Sequence, residues 1–283
     1  MNIVKANRTQ SKIRLGLQAA AGFGKSYSAL LIAYGLCGAW NKVVVIDSES
    51  GSSHLYSDLG DYSVVSLSKP FSPERYIQAI ELCEQGGYEV IIIDSISHEW
   101  EGQGGILDIH SNMVGNSFTN WSKVTPRHNS FVQAILQSKA HVIATIRTKS
   151  DYVLSEKNGK MVPEKVGLKG ITKEGLDYEF TIVLDLDSKS NATASKDRTK
   201  LFNFSLPFVP TEKTGSRIRQ WCEMNISQAD IMEKIEACTS EEEIRKVYEL
   251  AGPYKESLKH HFKEKWNKII IQNTHSNGTT DSK

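Results

Sequence analysis

The stretch Ala19–Ser26 reads AAAGFGKS, and it lies between an alternating apolar run at 13–17 and the helix-forming run YSALLIAYGL at 27–36. Its last three residues, GKS, fit the end of the pattern G-x-x-x-x-G-K-[S/T], with Ala19 in place of the first glycine. A strand, a small-residue loop and a helix in this order are the context in which the pattern indicates a phosphate-binding loop. The alternative is a glycine-rich turn that merely joins the strand to the helix. The stretch predicts an α/β fold with a ligand site at this loop.

The residue types of the loop suit the binding of a nucleoside triphosphate. Glycine at 22 and 24 permits positive φ, which lets successive N–H groups close around a phosphate at a helix N-terminus. Lys25 can neutralise the β and γ oxygens, and Ser26 can offer its hydroxyl to Mg²⁺. We therefore expect ATP and Mg²⁺ as cofactors. The predicted nucleotide-binding residues are Ala21, Gly22, Phe23, Gly24, Lys25, Ser26 and Tyr27.

Composition limits the classes of protein that fit this chain. Its 283 residues are 39% hydrophobic, enough for one large domain and a small one. The net charge is +1, so contact with nucleic acid would need a local basic patch. Four scattered cysteines without a C-x-x-C pair argue against a zinc site and a disulfide framework and favour the cytoplasm. No apolar run approaches the roughly 20 residues of a membrane helix, so no membrane contact is expected.

Two further apolar runs end in carboxylates. KVVVID at 42–47 and YEVIIIDS at 88–95 are typical of strands buried on both faces of a parallel sheet. Ligands bind at the carboxyl ends of such strands. Asp94 is therefore predicted to hold Mg²⁺ together with Ser26, and Glu49 is a candidate general base that polarises the attacking water. An ordinary strand-end aspartate and a solvated acidic turn residue are the alternatives.

The following segments leave some roles open. Glu99 and Glu101 compete with Glu49 for the role of base. A helix is predicted at 126–139, followed by a fourth buried strand, AHVIATI, at 140–146. At the end of that strand Thr145 and Arg147 could sense a γ-phosphate, or they could simply end the strand.

A projecting hairpin is predicted from DYVLSEKNGKMVP at 151–163, because Asn-Gly flanked by apolar residues is a strong turn signal. Between residues 147 and 173 seven basic residues stand against three acidic ones. Such a patch can contact a phosphate backbone, and a tyrosine can stack on a base. A solvated surface hairpin is the alternative. The candidate DNA-binding residues are Lys149, Tyr152, Lys157, Lys160, Lys165 and Lys169.

Strands are predicted at 178–186 and 200–206, separated by the polar stretch SKSNATASKDRT. Lys196 and Arg198 in this stretch stand one residue apart and could reach a neighbouring subunit's γ-phosphate as a cationic finger. An exposed pair of loop charges is the alternative.

The C-terminal part has helical periodicity from about residue 227, with a capping box at Ser240-x-x-Glu243. Its basic stretch at 255–268 could bind nucleic acid or a partner, or it could be an ordinary amphipathic helix face. The expected organisation is a core at 1–222, a small helical appendage at 223–271 and a disordered tail at 272–283.

The order AAAGFGKS, VVVIDSES, VIIIDS and a strand leading to a basic loop resembles the ATPase core of the RecA superfamily, over roughly 12–222. IRTKSDYVLSEKNGKMVPEKVGLK and NATASKDRT look like its phage and prophage branch, which is linked to single-strand annealing and homologous recombination.

The resemblance implies a RecA-like P-loop core with a mostly parallel sheet flanked by helices, and Glu49 as the catalytic base. It also implies that the hairpin binds DNA, and that Lys196 and Arg198 act in trans within a ring or filament. We expect a DNA-stimulated ATPase in the cytoplasm, that of a bacterial host if the protein is phage-derived, with single-stranded DNA as partner. The alternative is an ATP-gated regulatory or assembly protein that holds a protein partner through the C-terminal helices.

Overall fold

The computed structural model describes residues 11–157, 160–203, 205–223, 228–251 and 254–276, with backbone alone at 150–168, 249 and 271–276. The chain divides into two compact units, a larger one comprising Lys12–Arg219 and a smaller one that contains the helices after Gln220. Among the described residues, no helix is both long enough and apolar enough to cross a membrane.

A mostly parallel sheet forms the centre of the larger unit, as the sequence predicts. The spatial order of its strands is β3-β2-β4-β5-β1-β7-β8, with β6 paired to β5. The pairs β5–β6 and β7–β8 are antiparallel, and the other pairs are parallel. The strands are Arg14–Ala19 (β1), Val43–Asp47 (β2), Ser63–Ser66 (β3), Val90–Asp94 (β4), His141–Lys157 (β5), Lys160–Gly170 (β6), Ile182–Leu186 (β7) and Ala192–Asp197 (β8).

Helices flank this sheet and build the smaller unit. They are Lys25–Cys37 (α1), Pro73–Gln85 (α2), Ser97–Glu101 (α3), Ile106–Ser111 (α4), Ser117–Gln137 (α5), Glu212–Glu223 (α6), Gln228–Ala237 (α7), Glu241–Leu250 (α8) and Lys259–Ser276 (α9). Short 3-10 segments lie at Trp40–Lys42, Ser52–Leu59 and Leu176–Tyr178.

The core of the larger unit explains why the strands form. All residues of β2 and β4 are buried, as expected for central strands of a covered parallel sheet. Side chains of α2 and α5 pack on one face of the sheet, where Tyr76 and Phe131 contact each other with ring centroids 5.2 Å apart. This packing fixes the carboxyl ends of the strands, which carry the candidate site.

Two predicted elements of the larger unit are wrong. The last strand is β8, not 200–206, because the Asp197 carboxylate accepts hydrogen bonds from the backbone N–H groups of Thr199 and Phe202 and holds the following residues in a turn. Helix α5 begins at Ser117 instead of 126, since the side chain of Asn116 caps it by accepting from the N–H of Phe118 at 2.8 Å.

The predicted hairpin is present as the backbone of β5 and β6. Strand β5 pairs with β1 up to Arg147, and its following residues pair with β6 as far as Lys157 and Lys160. At about 3.3 Å per residue, the ten residues after Arg147 extend roughly 33 Å beyond the carboxyl edge of the sheet. The predicted Asn-Gly turn at 158–159 lies outside the described residues.

The smaller unit contains a core of its own among α7, α8 and α9, to which Ile231, Ile244 and Phe262 contribute. The predicted capping box is present: Ser240 Oγ accepts from the N–H of Glu243, and the Glu243 carboxylate accepts from the N–H of Ser240, each at 3.3 Å. The backbone of α9 continues to residue 276, five residues into the expected tail. No glycine or proline interrupts the sequence between 259 and 276, so no local stop signal ends the helix earlier.

Candidate active site

The loop between β1 and α1 has the conformation that its glycines allow. Gly22 and Gly24 have φ values of 81° and 83°, and Gly24 caps the start of α1. A Cβ at Gly24 would lie 2.6 Å from the Oγ of Ser190, so this position has neither the backbone angle nor the space for a side chain. Among the described residues, no N-cap side chain occupies the N-terminus of α1, as expected for a loop that binds an anion there.

Ser190 contributes to the loop, and the sequence reasoning missed it. Its Oγ donates to the carbonyl oxygen of Phe23 at 3.1 Å. Ser190 lies in the turn between β7 and β8, where Asp187 Oδ1 accepts from the N–H groups of Lys189 and Asn191. An aspartate at the end of a strand followed by Ser and Asn is a turn signal, but the contact with Phe23 is 167 residues distant in sequence.

Lys25 lies between the loop and two acidic side chains. Its ammonium donates to the carbonyl oxygens of Ala19 and Ala20, at 3.1 and 2.9 Å. Burial lowers the pKa of Lys25, while the negative charges of Asp94 and Glu49 act in the opposite direction. The cation that the sequence assigns to the phosphates is therefore close to the two predicted carboxylates.

Asp94 is buried and has one carboxylate oxygen engaged. Thr145 donates its hydroxyl to Oδ1 at 2.5 Å, and Oδ2 has no hydrogen-bond partner among the described residues. Burial raises the pKa of Asp94, whereas the hydroxyls of Ser26 and Thr145 lower it. A buried carboxylate oxygen without a partner, beside the Ser26 hydroxyl, fits a site for a hard divalent cation.

Glu49 and Arg147 form an ion pair that the sequence reasoning did not anticipate. Arg147 Nε donates to Glu49 Oε1 at 2.7 Å, and a second bond joins Nη2 to Oε2. The pair is partly buried and raises the pKa of Arg147. The backbone N–H of Arg147 also donates to Ser97 Oγ at 2.9 Å, which fixes the start of the hairpin strand. The two residues are 98 positions apart, so no local pattern could reveal the contact.

The competing carboxylates have different surroundings. Glu99 is fully buried, and both of its oxygens contact His128 Nδ1, at 3.0 and 3.1 Å. Glu101 is exposed, and its charge contributes to the raised pKa of Arg147. Asp47 accepts four hydrogen bonds from the turn that follows it, including those from the N–H and hydroxyl of Ser53. Glu49 is partly buried, and its charge acts on the Lys25 ammonium, so of the three candidates for the base it lies nearest to the loop lysine.

Another polar contact joins the ends of β2 and β4 beside Glu49. Ser48 Oγ donates to the carbonyl oxygen of Ser95, accepts from its N–H and contacts His98 Nδ1, each at 3.0 Å. The ring of His98 stacks on Phe71, with centroids 4.9 Å apart. These contacts hold His98 near the site. Tyr27, which the sequence assigns to nucleotide binding, is exposed beside the loop, and its ring contacts the ring of Tyr56.

The described part of the hairpin contains two of the candidate DNA-binding side chains. Lys149 and Lys169 are exposed and oppose each other across β5 and β6. Lys169 forms a loose ion pair with Glu174 at 3.6 Å. The other candidate side chains lie outside the described residues, so they stay predictions: Tyr152, Lys157, Lys160 and Lys165.

Lys196 and Arg198 are far from the loop of their own chain. The ammonium of Lys196 donates to the carbonyl oxygens of Asp177 and Tyr178. The backbone N–H of Arg198 donates to the carbonyl oxygen of Thr181, and the N–H of Thr181 donates to the carbonyl oxygen of Arg14. Arg198 is therefore level with the beginning of β1, about 16 Å along the strand from the loop at its end.

Comparison with known proteins gives one result for the larger unit. A family model described as an AAA domain matches residues 11–221. The matched part contains the loop, the carboxylates and the hairpin. No curated protein matches the chain.

Proposed function

The chain belongs to the AAA-domain family, whose members are P-loop ATPases, and from this premise we propose a specific activity for it. We propose a RecA-like, Mg²⁺-dependent ATPase that binds single-stranded DNA and acts in phage-type homologous recombination or strand annealing. Its ATP hydrolysis is stimulated by DNA, and its copies associate into a ring or filament.

The contact between Glu49 and Arg147 carries the proposal. Arg147 lies on β5, the strand that leaves the sheet and becomes the first strand of the basic hairpin. Thr145, two residues earlier on the same strand, holds Asp94. One continuous strand therefore contacts both the candidate base, Glu49, and the candidate Mg²⁺ ligand, Asp94, and continues into the candidate DNA element. Such a connection supports coupling between DNA binding and hydrolysis.

Each residue has a role that follows from its contacts. The N–H groups of the loop and the Lys25 ammonium bind the phosphates, after Lys25 exchanges the carbonyl oxygens of Ala19 and Ala20 for phosphate oxygens. Ser26 and Asp94 would hold Mg²⁺, which when bound would neutralise charge on the phosphates. Glu49 orients the attacking water and accepts its proton once its carboxylate is released from Arg147.

Lys196 and Arg198 act on the nucleotide of a neighbouring copy. Arg198 lies level with the beginning of β1, and the ammonium of Lys196 is engaged by the carbonyl oxygens of Asp177 and Tyr178, so neither is positioned at the loop of its own chain. A cation supplied in trans stabilises charge that develops during phosphoryl transfer. Hydrolysis then requires association of at least two copies.

The test is ATP hydrolysis by the full chain with and without single-stranded DNA, at low and moderate salt. We expect stimulation that weakens as salt rises, because phosphate contacts release counterions. Replacing Lys157, Lys160 and Lys165 by Ala should remove the stimulation and reduce the salt dependence of DNA binding. The matched control replaces three exposed lysines away from the hairpin, Lys12, Lys139 and Lys213, by Ala.

The hairpin variant and its control separate the outcomes. Equal losses in both triple variants would indicate a general charge effect and would contradict a DNA site on the hairpin. ATP binding without any effect of DNA would instead support the second candidate, an ATP-gated protein that holds a protein partner. An open cavity among the C-terminal helices favours that candidate.

A further inference from the structure

The smaller unit contains a cavity of about 520 Å³ between α8 and α9. This volume is within the range of ligand pockets, roughly 300–1,000 Å³. Apolar side chains form much of its wall, and two basic residues stand among them. The lining residues are Ile244, Arg245, Tyr248, Phe262, Lys263 and Trp266.

The basic residues of the wall are available to an anion. Arg245 and Lys263 are exposed, and neither has a carboxylate partner among the described residues. The guanidinium carbon of Arg245 lies 5.3 Å from the ring centroid of Trp266. A guanidinium stacked on an aromatic ring is held in place while its N–H groups, which lie in its plane, remain directed to the side. The wall thus presents a positioned donor beside apolar surface.

The aromatic rings are not arranged as a platform for nucleic-acid bases. Base stacking requires an open ring face. Arg245 covers a face of Trp266, Lys255 lies 4.7 Å from the ring centroid of Tyr248, and Phe262 is 5% exposed. A concave apolar cavity with basic residues at its wall instead suits an inserted apolar side chain flanked by carboxylates.

We propose that the cavity between α8 and α9 is a docking site for an acidic segment of a partner protein. A bulky apolar side chain of the segment enters the cavity against Ile244 and Phe262, and neighbouring Asp or Glu carboxylates bind Arg245 and Lys263. The cavity shares no residue with the phosphate-binding loop, so this proposal and the DNA-dependent ATPase can fail independently.

The test measures binding of fluorescein-labelled synthetic peptides to the full chain by fluorescence anisotropy. The peptides are rich in Asp and Glu and carry one central Phe, Leu or Trp, and each is compared with the same peptide carrying Ala there. We expect at least one apolar residue to bind about tenfold more tightly than its Ala counterpart, equivalent to about 1.4 kcal/mol. If no peptide exceeds its Ala counterpart, the proposal is wrong.

A pair of charge variants distinguishes the site from general attraction. Arg245→Ala with Lys263→Ala should weaken peptide binding about tenfold. The control, Lys246→Ala with Lys259→Ala, removes the same charge from the same helices but from side chains that do not line the cavity. Equal losses in the two pairs would overturn the proposal.

Two further measurements complete the test. Both double variants should unfold at the temperature of the unaltered chain within a few degrees, because the substituted side chains are exposed. A labelled oligothymidylate serves as the nucleic-acid probe. Three results together would make the cavity a nucleic-acid site and would contradict the peptide proposal. The oligothymidylate binds the full chain, its affinity falls only in the double variant Arg245→Ala with Lys263→Ala, and no peptide displaces it.

Discussion

At the scale of single residues, the assignment of Glu49 as the base gives a direct expectation. Glu49→Gln keeps the size of the side chain but cannot accept a proton, so turnover should fall by about 10²–10⁴. Nucleotide affinity should change little, since Lys25 and the loop amides remain. Steady-state hydrolysis and binding of a fluorescent ATP analogue measure the two quantities. Glu101→Gln is the matched control, and a larger loss of turnover there than in Glu49→Gln would transfer the role to Glu101.

Arg147 should determine how strongly DNA affects turnover. In Arg147→Ala the hairpin strand loses its ion pair with Glu49. We expect the ratio of DNA-stimulated to basal hydrolysis to fall towards one, while DNA binding, which the proposal assigns to the hairpin lysines, is largely kept. The measurement is ATP hydrolysis at saturating DNA, with DNA affinity determined in parallel. An unchanged ratio would exclude the ion pair as the connection.

His141 should make stability depend on pH. Its Nδ1 accepts from the N–H of Ile13 at 3.0 Å, and burial lowers the pKa of His141 to about 3. In the unfolded chain His141 takes up a proton below about pH 6.5, whereas in the folded chain it stays neutral until about pH 3. The contribution of His141 to the free energy of unfolding is therefore fully present above about pH 6.5. It then falls by at most about 1.4 kcal/mol per pH unit on acidification.

Urea unfolding of the unaltered chain and of His141→Gln, between about pH 7 and about pH 5, measures this dependence. The raised pKa values of Asp94 and Glu99 act in the opposite direction, so the informative quantity is the difference between the two proteins. Glutamine offers an acceptor to Ile13 but takes up no proton in this range. If the free energy of unfolding depended on pH in the same way in both proteins, His141 would not be the source of the effect.

At the scale of helices and strands, two glycines allow α1 and α6 to pack with their backbones in contact. A Cβ at Gly35 would lie 2.0 Å from the carbonyl oxygen of Glu212, and one at Gly215 would lie 2.0 Å from that of Ile32. Gly215→Ala should therefore destabilise the protein by about 1–3 kcal/mol, although alanine favours helix formation. Thermal unfolding measures the loss, and Lys213→Ala on the same helix is the control.

Local patterns predicted most of these elements. The apolar runs ending in Asp47 and Asp94 are strands of the parallel sheet because burial on both faces requires such runs. The errors arose where a side chain overrides the pattern: Asn116 starts α5 before its proline, and Asp197 replaces a predicted strand by a turn. A single hydrogen bond to the backbone decides the boundary in the first case, and periodicity contains no information about it.

The contacts within the candidate site were less predictable for a related reason. The identities of Lys25, Ser26 and Asp94 follow from motif and strand-end position, and the structure brings them together. The contacts of Ser190 with Phe23 and of Arg147 with Glu49 join distant parts of the chain. They depend on strand order and register, which a single sequence does not specify.

At the scale of the whole molecule, the proposed action in trans can be tested by mixing two inactive proteins. The variant Glu49→Gln lacks the base but retains Lys196 and Arg198. The double variant Lys196→Ala with Arg198→Ala lacks these cations but retains Glu49. When equal amounts co-assemble at random, about a quarter of the interfaces combine an intact base with intact cations. We expect hydrolysis by the mixture to exceed that of either variant alone. Absence of any recovery, with mixed assembly shown by sedimentation, would contradict action in trans.

The loop lies at the carboxyl end of β1 and Arg198 at its amino end, and in the proposed assembly this placement would create a polarity. If, as proposed, a copy gives its cations to a neighbour on one side and receives cations from a neighbour on the other, the contacts are head-to-tail and not two-fold. At one end of an open filament, one copy then has no neighbour that supplies cations to its site. In a closed ring every copy has such a neighbour. Specific activity would rise with filament length and reach its ceiling on closure.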